Sequence, residues 1–146
     1  MVQMNGEGQP VTLRVKFRKV GTLCYISHLD LVRTMYKVIV RAGLPLKYSE
    51  GFNPKPKMTF AAPLSIGTES ECEFMDVRLT ERRDPEELLD ALNKNLTDES
   101  RALAAYYPER KLSDLGYLSY RIVIDTAGAG EALAAHFGTM DACLAA

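Results

Sequence analysis

The nine residues from Val11 to Lys19 constrain this chain more than any other stretch. Leu13, Val15 and Phe17 alternate with Arg14, Lys16 and Arg18. A period of two marks a strand with one buried face and one solvated face. Such a strand needs an apolar layer over Leu13, Val15 and Phe17, and it leaves three cations on the opposite side.

Two later segments supply that layer. Ser27 and Asp30 fit a capping pattern, with Ser27 as N-cap. From there Leu29, Val32, Tyr36, Ile39 and Val40 recur at helical spacing and predict a buried stripe. Arg33, Lys37 and Arg41 recur every four residues on another face, and Gly43 is placed to end the helix in a left-handed cap. The second helix opens at Asp84, with Pro85 in first position and Glu86 and Glu87 at the positive helix end. Leu88, Leu89, Leu92 and Leu96 form its apolar side.

Strand signals lie between and after the helices. Leu44–Ser49 reads as a short strand. Gly51–Lys57 reads as a stiff loop, because Pro54 and Pro56 fix their own φ and push their predecessors into extended conformations. Met58–Pro63 and Glu71–Leu79 read as strands, the latter with Met75, Val77 and Leu79 on one face. Ala102–Tyr107 completes the set. The order β-α-β-β-α-β predicts an α+β fold of ferredoxin-like type, a sandwich with both helices on one face of an antiparallel sheet and the other face open.

The expected domain lies within residues 11–110. Residues 1–10 read as a disordered leader. Residues 111–146 read as a linker followed by the β-α start of an incomplete second unit. In that unit Tyr117–Asp125 alternates strongly, and Glu131–Leu144 follows Gly128 and Gly130 with a helical pattern.

Hydrophobic residues make up 47% of the chain, enough to bury a core without staples. The three cysteines form no CxxC pair, and His28 and His136 are too few for a common catalytic zinc set. No metal and no cofactor are expected. The N-terminus lacks an apolar signal region, and no apolar run reaches the roughly 18 residues that span a bilayer. A cytoplasmic protein with no membrane partner is the expectation.

The net charge of −1 hides a split. Residues 1–57 hold ten Lys and Arg against three Asp and Glu, a net of +7; residues 58–146 hold eight against sixteen, a net of −8. The basic part is suited to an anionic partner, or the two parts attract each other.

The runs LRVKFRKVG, SHLDL, RAGLPLKYSEGFNPKPK and PLSIGTESE resemble a bacterial family described as the radical SAM-linked domain of unknown function. The likeness covers residues 11–80 closely and is looser afterwards. It implies a protein encoded beside, or fused to, a radical SAM protein, and a longer domain than these residues supply. It implies no established activity, although some neighbours of the family act on RNA. The layout also resembles the tandem ferredoxin-like folds of CRISPR RNA-processing endonucleases.

Three functional readings follow. In the first, the chain is a non-catalytic module that presents RNA, such as tRNA, to a radical SAM enzyme. Arg14, Lys16, Arg18, Lys55 and Lys57 would neutralise phosphates, Tyr48 and Phe52 would stack bases, and Asn53 would read a base edge. In the second, His28 in the first helical turn stays neutral and acts as the base of a metal-independent endoribonuclease. In the third, the chain is a protein–protein adaptor. The plainer reading of the cations is a solvated face, and that of His28 is a partly buried support for the loop. Glu69, Glu71 and Glu73 share one strand face and read as a protective charge row rather than a metal site.

Overall fold

The computed structural model describes residues 9–123, together with 127, 128, 131 and 135. The chain divides into two units, Met1–Leu115 and Gly116–Ala146. The first contains β1 (Val11–Lys19), α1 (His28–Arg41), β2 (Met58–Phe60), β3 (Ser70–Leu79), α2 (Pro85–Asn93) and β4 (Ala102–Tyr106). The strands form one antiparallel sheet in the order β2-β3-β1-β4. It is therefore a mixed α+β structure with a four-stranded antiparallel sheet and two helices.

The alternation in β1 sorts as its sequence demands. Leu13, Val15 and Phe17 are fully buried, and so are Met75, Val77 and Leu79 on the neighbouring β3, where Val77 faces Leu13 and Met75 faces Val15. They share one core with Leu31, Met35, Val38 and Ile39 of α1 and Leu88 and Leu92 of α2. Both helices thus cover the same face of the sheet.

Helix α1 starts where its caps require. The Ser27 hydroxyl accepts from the Asp30 backbone N–H at 3.1 Å and donates to the Asp30 carboxylate at 2.8 Å. Gly43, with φ of 69°, follows the last turn in the left-handed region. The buried stripe is Leu31, Met35, Val38 and Ile39; of the expected set only Ile39 is fully buried, while Val32 and Tyr36 are half-buried. Leu29 is 65% exposed and Val40 is 42% exposed. Both registers satisfy helical spacing, and packing against β1 and β3 chooses the one that includes Met35. Helix α2 keeps its expected start, with Asp84 accepting from Glu86, but ends at Asn93, so Leu96 packs from the following turn.

The expected strand Leu44–Ser49 is a correction. Leu46 bridges to Leu79 and Tyr48 bridges to Pro56, so the segment changes partner within two residues and forms no regular ladder. Pro45 adds a break because it lacks an N–H. Residues 49–55 form a tip closed by Ser49 N–H to the Lys55 carbonyl at 2.8 Å and Lys55 N–H to the Ser49 hydroxyl at 3.0 Å. Gly51, with φ of 123°, makes the bend that other residues resist.

Two irregularities shape the rest of the sheet. On β4, Ala104 faces Lys16 but Ala102 faces Phe17, so Leu103 is an extra residue. On β3, Glu73 faces Phe17 but Ser70 faces Lys19, again with one residue too many. The glutamate row is a second correction. β3 is an interior strand; Glu69 precedes it and accepts from the Gly21 N–H, Glu71 is exposed, and Glu73 is half-buried.

In the second unit, residues 117–123 contain no strand. Among the described residues the strand expected at Tyr117–Asp125 is therefore not formed; alternation alone does not make a sheet. Its last two residues, and nearly all of the Glu131–Leu144 stretch, lie outside the described residues, as do residues 1–8 of the leader.

Candidate nucleic-acid interface

The sheet face opposite the helices is built mainly by β1 and β3. Cross-strand register sets Arg14 between Asp76 of β3 and Tyr106 of β4, and Lys16 between Phe74 and Ala104. The face thus carries a row of alternating cations flanked by two aromatic rings. Neither ring is among the expected site residues. Phe74 is legible in the sequence all the same, because placing Met75, Val77 and Leu79 inward sends Phe74, Asp76 and Arg78 outward.

Arg14 is not the free cation that the sequence suggests. It is 9% exposed. Its Nε and Nη2 donate to the two carboxylate oxygens of Asp76 at 2.7 and 2.8 Å, and Nη2 also donates to the Arg110 carbonyl at 3.0 Å. The hydrogen bond that it donates to Asp76 raises the guanidinium above its ordinary pKa against the opposing effect of burial. The expectation of a solvated phosphate contact at Arg14 fails because an acid sits directly across the strand pair.

Lys16 and Arg18 are half-buried. The Arg18 guanidinium donates to the Asp98 carbonyl, which leaves its charge uncancelled. Among the described residues, the ion pairs involve Arg14, Arg33, Arg83 and Arg101, so Lys16, Arg18, Arg110 and Lys111 have no acidic partner within bonding distance. Arg78 stands on the same open side and donates to the Thr12 hydroxyl at 2.7 Å.

The closed tip gathers Tyr48, Phe52, Asn53 and Lys55. Phe52 is fully exposed. Met58 and Phe60 pack on the core, so alternation sends Lys57 to the other side, beside Arg78, whose N–H donates to the Lys57 carbonyl at 2.9 Å. Lys57 therefore joins the tip to the open face.

A cleft of about 200 Å³ lies on that face, between Arg14, Phe74 and Tyr106 below and the turn Arg110–Leu115 above. The sequence of Lys111–Gly116 suggests a linker. Residues 112–114 instead form a short 3-10 turn, with the Lys111 N–H donating to Asp114 at 3.3 Å.

His28 belongs to a different place. It sits on the helix side, its ring meeting Phe60 edge-on at 5.5 Å. Glu73 is close enough to feel the charges of His28 and Lys19. Burial raises the Glu73 carboxyl, and the Ser70 hydroxyl, Lys19 and His28 each oppose that rise. Lys19 is fully buried, with Nζ donating to the Ile26 carbonyl at 3.3 Å. Ser27 is committed to capping α1. Among the described residues, no group of three or more His, Cys, Asp or Glu is arranged to hold a metal ion, and no helix is long and apolar enough to cross a membrane.

Fold and face together define an α+β protein with one uncovered, basic and aromatic sheet surface. The chain belongs to the family described as an uncharacterized protein conserved in bacteria (DUF2344), whose model matches residues 12–140. That description assigns no activity and mentions no radical SAM protein. Neither the curated proteins nor the solved structures include a match to the chain.

Proposed function

We propose that this protein is a non-catalytic RNA-binding module that presents its RNA, tRNA among the candidates, to a radical SAM enzyme in RNA modification. One observation carries the RNA half: the open sheet face joins unpaired cations, Lys16 and Arg18, to two aromatic rings, Phe74 and Tyr106. Cations neutralise phosphates, and rings accept any base by stacking, which is the usual chemistry of single-stranded RNA binding. The strand order β2-β3-β1-β4, with both helices on one side, supports a ferredoxin-like arrangement, in which this face is free for a ligand. The radical SAM half rests on the sequence resemblance.

The endoribonuclease reading has a geometric obstacle. His28, Lys19 and Glu73 are on the helix side, and the cationic face is on the other, so an RNA lying on Lys16 is separated from His28 by the sheet. The module reading predicts RNA binding that weakens steeply with salt and produces no cleavage. Filter binding with the wild-type chain and with the double variant Lys16→Glu/Arg18→Glu tests it. Binding that the double variant leaves unchanged would rule out this face. Cleavage in EDTA that disappears in His28→Ala would favour the enzyme. Co-purification from the native host tests the partner.

A further inference from the structure

The cleft over Arg14 differs chemically from the rest of the face. Its basal cation is cancelled by the paired hydrogen bonds to Asp76. Its other acid, Asp114, is occupied by the Lys111 N–H and the Ser113 hydroxyl. What remains at the bottom and sides is largely uncharged and flat or branched: Phe74, Tyr106, Leu112 and Leu115. The charges without an ion-pair partner are those of Arg110, Lys111 and Asp114, all in the turn that forms one wall, with the two cations outnumbering the acid. A phosphate gains little from a guanidinium already paired with a carboxylate, whereas a neutral ring gains both stacking and burial there. The volume, about 200 Å³, falls below the roughly 300 Å³ at which pockets for drug-sized ligands begin, which suits a single ring system.

We propose that this cleft takes one unpaired nucleobase of the bound RNA, stacked on Tyr106 or Phe74, while Arg110 and Lys111 hold the phosphates on either side. The inference rests on the RNA reading and sharpens it. The ligand is a strand with at least one base already turned out rather than a continuous duplex, because a paired base could enter the cleft only at the cost of unpairing and unstacking.

The test uses the whole chain and a short single-stranded RNA carrying a fluorescent aminopurine, measured beside the same RNA annealed to its complement. Binding of the single strand should change the fluorescence of the base, and the duplex should bind more weakly. Tyr106→Leu and Phe74→Leu remove the rings while keeping apolar bulk. At least one should weaken single-strand binding by roughly 10-fold with thermal unfolding unchanged, the loss expected for one stacked base. Should a leucine variant unfold, Tyr106→Phe provides the control, since it keeps the ring and should keep the affinity. Single-strand binding that both leucine variants retain, yet Lys16→Glu/Arg18→Glu abolishes, would overturn the base cleft and leave the RNA reading standing. No RNA binding by the wild-type chain would overturn both.

Discussion

Arg14 and Asp76 face each other across the β1–β3 pair and meet through two near-parallel hydrogen bonds of 2.7 and 2.8 Å, with both side chains largely out of water. Sequence separation gives no hint of this pairing: the two residues are 62 positions apart. It joins the basic and acidic parts of the chain at one point and turns a would-be phosphate contact into a structural one.

Asp76→Ala should therefore destabilise the protein while leaving the net charge of the face more positive. The buried guanidinium would lose its two charge-assisted bonds, at a cost of about 2 kcal/mol. Urea denaturation would show the loss. The double variant Arg14→Leu/Asp76→Leu should recover part of it, since an apolar pair leaves no buried charge unmatched. A double variant no more stable than Asp76→Ala would show that the ion pair itself is needed.

Phe52 separates folding from binding. It is fully exposed on a tip whose closure depends on Ser49 and Lys55. Phe52→Ala should change stability by less than about 0.5 kcal/mol. If RNA reaches the tip as well as the sheet, the same variant should weaken binding roughly 10-fold. Full retention of affinity would confine the interface to the open face.

Glu73 should make stability depend on pH with an unusual sign for a carboxylate. Burial raises it above its ordinary value of 4.5 in the folded protein. Below that value both folded and unfolded chains are protonated, and the group contributes equally to both. As pH rises towards the folded value, the folded state holds the proton that the unfolded chain has released, so stability falls. Glu73→Gln removes this dependence. The variant should gain in melting temperature over wild type across the range that runs upward from the ordinary value of 4.5. A gap that stays constant across that range would contradict the assignment.

The start of α2 should report on a cap. Asp84 accepts from the Glu86 N–H at 3.1 Å, directly before Pro85. Asp84→Ala should cost about 1 kcal/mol, and Asp84→Ser should recover most of it. Helicity and the unfolding midpoint measure both.

The strongly periodic elements were legible in the sequence. β1 spans the residues that its alternation marks, and both helices begin at their capping residues. What sequence could not supply was tertiary choice. Helix α1 offers two apolar registers of similar quality, and only packing against Val15 and Met75 selects the one containing Met35. Tyr106 was hidden for a different reason. Without the extra residue at Leu103, Tyr106 would share a face with buried Ala102; with it, Tyr106 stands beside Arg14 on the opposite side. No local residue pattern announces that shift. The base of the cleft was equally hidden, because Arg14, Phe74 and Tyr106 come from three strands.

The brevity of β2 bears on self-association. Its ladder is three residues long, and the preceding backbone is already taken up: the Lys57 N–H donates to Lys47, Pro56 has none, and Tyr48 bridges to Pro56. A second copy approaching that margin would find too few free donors to extend the sheet into a ribbon. The prolines that stiffen the tip therefore also protect the protein from fibrous assembly along this side, so concentrated samples should fail by other routes first.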